Sequence, residues 1–151
     1  MTDNPVPRDA WSLLVFKAQH AFEARQQQVT QARARQAQIE ASEKRLALLL
    51  QEYRLRQQTS LAGGQLMADS LNERQFIAQL QRLTDQSMRA TAAAVRHTQA
   101  EVTALDGARR ELEKAEKLLA KARATERVRQ DRKAQQSQDE WSMMRFGRQD
   151  A

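Results

Sequence analysis

The sequence has no cysteine, four glycines, two prolines and only 5% aromatic residues. The lack of cysteine excludes a disulfide scaffold and any thiolate metal site, and it fits a reducing cytosol. The longest aliphatic run, residues 46–50, is far shorter than the roughly 20 residues that a membrane-spanning helix needs. Pro5 and Pro7 break the pattern of a signal peptide. We therefore expect a soluble or peripheral protein without a signal peptide.

The residues that are abundant favour helices. Hydrophobic residues make up 40% of the 151, much of this alanine, and the chain is rich in Leu, Glu, Gln, Lys and Arg. This composition is too poor in large apolar groups for a thick core, and it indicates helices that meet along a narrow seam. The net charge of +6 would suit an acidic protein, a nucleic acid or an anionic membrane surface.

A first long helix is predicted over residues 9–61. Pro5 and Pro7 disfavour helix in residues 1–8, which we expect to be a flexible lead-in, and Asp9 then provides an N-cap. Residues at alternating spacings of three and four form a coiled-coil seam, although some of them are polar. The seam positions are Trp11, Val15, Ala18, Phe22, Arg25, Val29, Ala32, Gln36, Ile39, Glu43, Leu46, Leu50 and Tyr53.

A turn over residues 62–71 and a second helix over residues 72–140 are predicted next. Gly63 and Gly64 supply backbone conformations that end a helix, and Asn72 with Gln75 forms a capping box. The second seam contains Met88, Val95, Val102, Leu105, Ala108, Leu112, Ala115, Leu119 and Ala122.

We predict one all-α domain, an elongated antiparallel two-helix coiled-coil hairpin with an overhanging C-terminal helix. The overhang begins near residue 123, and residues 141–151 are expected to be a frayed tail.

Groups suited to catalysis or metal binding are scarce. His20 and His97 are the only imidazoles, and neither has a second His or Cys at helical spacing. Gly63-Gly64 is not followed by the Lys-Ser/Thr of a phosphate-binding loop. The carboxylates alternate with Lys and Arg, as they do on solvated helices. We therefore expect no enzymatic activity, no metal and no cofactor.

Two segments leave other binding functions open. The basic run over residues 123–133 could contact phosphates, but Glu126 and Asp131 interrupt it and no aromatic stacking platform accompanies it, so we expect no nucleic-acid partner. The apolar residues 11–16, followed by Lys17, could lie in a membrane interface. Continuity of the seam favours instead that they close the open end of the hairpin against Leu119.

Motifs on both sides of the turn resemble a known family. They are Glu52-Tyr53-Arg54, the glycine-containing loop, Asn72, Phe76-Ile77-Ala78-Gln79-Leu80, Gln86 and, near the end, Asp139-Glu140-Trp141 followed by basic residues. The order and spacing of these motifs, the length of the chain and its two-helix layout resemble those of the flagellar export protein FliJ family.

This resemblance implies a coiled coil similar to the central stalk of rotary ATPases. It implies a monomeric hairpin in the cytoplasm, peripheral at the cytoplasmic face of the inner membrane. Its partners would be the hexameric export ATPase, whose centre it occupies, the cytoplasmic part of the export gate, and export chaperones. Residues implied to contact the ring are Trp11, Lys17, Arg25, Lys121, Arg123, Arg127 and Arg129.

Residues implied to dock on the export gate are Phe76, Leu80, Leu83 and Ser87, whose spacing places them on one helix face. The same face could instead pack Phe76 and Leu80 on the first helix, near Leu50 and Tyr53.

Three other functions stay open. They are the equivalent stalk of a virulence type III secretion system, a basic coiled coil that binds nucleic acid or anionic membrane, and a self-associating structural coiled coil.

Overall fold

The computed structural model describes residues 9–64 and 67–149, which form two helices. Helix α1 spans Ala10–Ala62 and helix α2 spans Met67–Gln149. The described residues contain no strand. The two helices pack against each other, so the prediction of an all-α helical hairpin is confirmed.

The chain divides into two compact units, each made of one segment from each helix. The turn unit comprises the described residues 24–64 and 67–106, and the terminal unit comprises residues 9–23 and 107–149. In the turn unit, Arg54 bonds Gln81 and Arg25 pairs with Glu101, so the two segments run antiparallel.

Asp9 caps the start of α1, as the sequence predicts. The backbone N–H of Ser12 donates to Asp9 Oδ1 at 2.6 Å, which satisfies one of the amides that the first helical turn leaves free. This hydrogen bond lowers the pKa of the Asp9 carboxyl, and the Ser12 hydroxyl and the charge of Arg123 act in the same direction. The expected lead-in over residues 1–8 lies outside the described residues.

Helix α1 ends at a glycine in the left-handed conformation. The Gly63 amide donates to the carbonyls of Thr59 and Ser60 at 3.1 and 3.2 Å, and Gly64 has φ of 82°. A side chain at Gly64 would strain the backbone, whereas a Cβ at Gly63 would meet only ordinary contacts. The glycine pair therefore ends the helix as predicted.

The bounds of α2 differ from those predicted. It begins at Met67, so Asn72 lies inside the helix and is not its N-cap. Met67 and Ala68 are good helix formers, and Asp69 complements the helix dipole in the first turn. Residues 141–149 are helical and not a frayed tail, because no proline interrupts them and Gly147 alone costs little. From Arg123 to Arg148 every side chain is exposed.

The seam of α1 follows the predicted positions closely. Val29, Ala32 and Leu50 are buried, and of the predicted set only Trp11 and Arg25 are exposed. The remaining predicted positions are partly buried: Val15, Ala18, Phe22, Gln36, Ile39, Glu43, Leu46 and Tyr53. The alternation of three and four therefore identified the packed face.

The seam of α2 follows the predicted positions except at Met88, and its first half contains further residues that were not predicted. Leu112 and Ala115 are buried and Val95 and Val102 are partly buried, as predicted, but Met88 is exposed. Many of the further seam residues are small or bear a hydroxyl group, and a search for large apolar groups overlooks them. Before Leu105 these further positions are Ser70, Glu73, Ile77, Leu80, Thr84, Ser87, Thr91, Ala94, Thr98 and Glu101.

Hydroxyl groups fit this seam because the helix itself satisfies them. The buried Thr84 donates to the Leu80 carbonyl at 2.8 Å, and Thr98 donates to that of Ala94 at 3.0 Å. Their small side chains also let the two backbones approach. Thr91 Oγ1 is the exception, since it is buried and no hydrogen-bond partner for it occurs in the described part of the chain.

Candidate partner-docking surfaces

Phe76 lies on α2 shortly after the turn and touches α1. Its ring centroid is 4.7 Å from that of Tyr53, with the planes tilted by 59°. Phe76 is still 40% exposed. Its ring therefore packs against α1 and also faces solvent.

Polar contacts hold the surroundings of Tyr53. The Arg56 guanidinium lies 5.4 Å from the centre of the Tyr53 ring and bonds Glu52 at 2.7 Å. Arg54, the residue after Tyr53, donates to the Gln81 side chain at 3.4 Å. The Tyr53 ring therefore contacts both the Arg56 cation and the Phe76 ring.

The remaining residues predicted to dock on the gate do not share one environment. Leu80 is only 4% exposed and lies in the seam, whereas Leu83 is 49% exposed. Ser87 is partly buried at a seam position. The alternative of packing against α1 therefore describes Leu80, and Phe76 and Leu83 are the exposed members of the set.

Phe76 and Leu83 lie on one flank of the seam, because each directly precedes a seam residue, Ile77 or Thr84. Leu49 directly precedes the buried Leu50 of α1 in the same way, and it is also exposed.

A groove shows that Leu49 belongs to the same flank as Leu83. Arg35 and His97 line a groove of about 350 Å³ with Ala90 and Ile39. Arg35 precedes Leu49 by two heptads, and His97 follows Leu83 by two heptads. Residues that are whole heptads apart lie on the same side of the seam. Arg35 and His97 line one groove, so Leu49 and Leu83 also lie on one flank. The Phe76 surface thus consists of Leu49, Phe76 and Leu83.

Leu49 was missed by the sequence analysis, which followed the seam and not its neighbours. The sequence does contain a pattern that identifies Leu49: a large apolar residue directly before a seam leucine lies at the edge of the packed face.

Most residues predicted to contact the ATPase ring lie in the terminal unit. Trp11 and Lys17 are exposed near the start of α1, and Lys17 borders a groove with Leu14 and Leu118. Four cations on α2 are also exposed: Lys121, Arg123, Arg127 and Arg129. Arg129 bonds Glu126 at 3.2 Å. The terminal unit therefore contains six of the seven predicted residues.

Arg25 is the seventh residue, and it belongs to the turn unit. Its guanidinium lies 3.7 Å from Glu101 Oε2, which is buried and makes no hydrogen bond within the described residues. The pair is an ion pair without a hydrogen bond, and Arg25 is about half exposed. Arg25 thus has a local partner on α2.

The last turns of α2, where a frayed tail is predicted, carry large apolar side chains. The exposed residues are Trp141, Met143, Met144 and Phe146. At about 100° per residue they point to all sides of the helix and not to one face. The Arg145 guanidinium lies 5.8 Å from the Trp141 ring centre.

The two histidines have ordinary helix-surface environments. The His20 ring packs edge-on against Phe16 with centroids 4.3 Å apart, and His97 borders the groove described above. Among residues 9–64 and 67–149, no cluster of three or more His, Cys, Asp or Glu is arranged to hold a metal ion. No helix in that same part of the chain combines the length and hydropathy needed to cross a membrane.

Comparison with known families identifies the chain. The family model described as Flagellar FliJ protein matches residues 13–151. The chain belongs to the FliJ family. The match includes both helices and the Phe76 surface, and it confirms the resemblance that the motifs around the turn indicated. Membership implies a stalk-type role in flagellar protein export. No curated protein and no solved structure matches the chain significantly.

Proposed function

We propose that this chain is the non-enzymatic stalk of the flagellar type III protein export apparatus. It inserts in the export ATPase hexamer, links that ring to the membrane export gate, and takes part in the cycling of export chaperones. Family membership over residues 13–151 carries this proposal. The match is to a flagellar family model, which favours the flagellar apparatus over a virulence secretion system.

The Phe76 surface is proposed to dock on the cytoplasmic part of the gate. Phe76 and Leu83 are 40% and 49% exposed, and Leu49 extends the same flank. Exposed aromatic and aliphatic side chains on a rigid helix are typical anchors of an interface. Leu80 and Ser87 support this surface from the seam and do not themselves touch the gate.

The terminal unit is proposed to enter the ATPase ring. The four predicted cations on α2, together with Trp11 and Lys17 on α1, are exposed in this unit. Hydrated cations exchange ionic partners at low cost, which suits a stalk that meets successive polar loops of a ring. Arg25, which already pairs with Glu101, would contribute less.

We place the protein in the cytoplasm, peripheral at the inner membrane, as a monomeric hairpin. The two proposed docking surfaces belong to different units, so single substitutions should separate their effects.

The test measures two activities of the purified full chain. The first is stimulation of ATP hydrolysis by the cognate flagellar ATPase, followed by phosphate release. The second is capture of the cytoplasmic domain of the gate protein. We expect Phe76→Asp to abolish gate capture and to keep ATPase stimulation. The double variant Arg123→Glu, Arg127→Glu should show the reverse.

Lys133→Glu is the matched control, because Lys133 is an exposed cation on the same helix outside the proposed contact set. It should behave as the wild type in both measurements. A wild-type chain that neither stimulates the ATPase nor captures the gate domain would refute the proposal.

A further inference from the structure

Helix α1 carries an apolar row on the side opposite its seam. Leu48 and Leu55 are 66% and 57% exposed. At about 100° per residue, Leu48 lies about 200° around the helix from both Leu46 and Leu50, which face α2. The row repeats every seven residues, and all its members are exposed. We call it the outer row: Ala34, Ala41, Leu48, Leu55 and Ala62.

The equivalent positions of α2 show what a solvated face looks like in this molecule. Each lies two residues before a seam position, as the outer row does on α1. They are Gln75, Arg82, Arg89, Arg96 and Thr103, all exposed. Position for position, α2 is polar or basic where α1 is apolar. The position farthest from the partner helix is normally the most polar of a coiled coil, so the outer row requires another explanation.

Two cations lie beside the outer row, close to Leu48. Lys44 and Arg45 are exposed four and three residues before Leu48, whereas Arg54 donates to Gln81 of α2. The nearby carboxylate of Glu52 is already bonded to Arg56 at 2.7 Å. A helix that covers the row therefore meets positive charge beside Leu48. A second copy of α1 would bring the same cations against each other, which is unfavourable, whereas carboxylates would complement them.

We infer that the outer row binds an amphipathic helix of a partner protein, with large apolar residues at heptad spacing and carboxylates beside them. The row extends over four heptads, about 42 Å of helix. Its three alanines permit close backbone approach, and its two leucines supply the apolar knobs. This surface is distinct from the residues proposed above for the gate and the ring.

The probe is a fluorescent synthetic helical peptide of about four heptads, with Leu at the seam positions and Glu beside them. A twin peptide carries Lys in place of every Glu. Binding to the full-length chain is followed by fluorescence anisotropy at low and high salt. We expect the Glu peptide to bind, more weakly at high salt, and the Lys peptide not to bind.

Leu48→Glu and Leu55→Glu should each weaken binding of the Glu peptide by about tenfold or more, because each places a carboxylate in the apolar contact. Thr103→Glu is the matched control, since it adds the same charge at an outer position of α2, and it should leave binding unchanged. Circular dichroism checks that all three variants remain helical.

Equal binding of both peptides, equal loss in the Thr103→Glu control, or no binding of the Glu peptide would overturn the inference. Sedimentation supplies the other decisive outcome, because a wild-type dimer that Leu48→Glu converts to monomer would make a second copy the occupant. Neither result affects the proposed stalk function, since Leu48→Glu should retain ATPase stimulation and gate capture.

Discussion

Leu80 and Leu83 are three residues apart, and the structure gives them different surroundings. Leu80 is 4% exposed in the seam, and Leu83 is 49% exposed on its flank. Replacing each with alanine removes the same atoms. Leu80→Ala should therefore reduce stability more than partner binding, and Leu83→Ala should reduce partner binding more than stability.

The cost of Leu80→Ala follows from burial. Removing a buried leucine side chain costs about 2–5 kcal/mol in unfolding free energy, including the cavity that it leaves. A two-helix seam is thin and can partly collapse into that space, so we expect about 2–3 kcal/mol. In a chain of this size the melting temperature should fall by about 5–10 °C.

Leu83→Ala should cost much less. About half of this side chain is in water already, so the loss is about 0.5–1 kcal/mol, offset slightly by the better helix propensity of alanine. Gate capture should show the opposite order, because Leu83 belongs to the exposed Phe76 surface. We expect Leu83→Ala to weaken capture clearly and Leu80→Ala to weaken it little under conditions where the variant is folded.

Urea unfolding followed by circular dichroism gives the free energies, and capture of the gate domain gives the binding. The wild type and Leu48→Ala, which changes another exposed leucine outside both surfaces, serve as references. If Leu83→Ala destabilises the chain as much as Leu80→Ala does, the assignment of the seam is wrong.

Other predictions concern the turn, the seam and the helix start. Gly64→Ala should destabilise the chain by about 1 kcal/mol, because alanine is strained at positive φ, and Gly63→Ala should cost less; similar urea midpoints would contradict this. Thr91→Val should stabilise by about 1 kcal/mol by removing a buried hydroxyl without a partner among the described residues. The exposed control Thr103→Val should change little, and a destabilised Thr91→Val would refute the argument. An NMR titration should place the Asp9 pKa below its ordinary value of 3.8. The Asp9 cap then stabilises the helix above pH 3.8, and this stabilisation is lost as the pH falls through the folded-state pKa. An Asp9 titration midpoint at or above 3.8 would disprove the cap.

The heptad spacing predicted most of the fold, because the buried residues of a two-helix seam recur at regular intervals along each helix. Val29, Ala32 and Leu50 were placed correctly on α1, as were Leu112 and Ala115 on α2. The prediction was wrong at Met88, where the seam continues through threonine and alanine. A threonine that bonds its own helix behaves as a small buried residue, and sequence polarity does not show this.

The helix bounds were predicted where the backbone itself imposes them. Asp9 and the glycine pair act through local hydrogen bonds and local φ angles, and both were identified from the sequence. Asn72 was a plausible cap by residue type, but α2 begins earlier because the residues before it also favour helix. Several residues before and at Asn72 favour the start of a helix to a similar degree, and the sequence does not show at which of them the helix begins.

The sequence by itself determined that the chain is a helical hairpin of the FliJ family, because heptad spacing, a glycine turn and the motifs around it are local features. Only the tertiary structure decided which side chains of the turn unit are available to a partner. Leu80 and Leu83 are chemically identical, and burial against α1 separates them. The same holds for Leu48 and Leu50, since the position of the second helix makes one an exposed surface and the other a core residue.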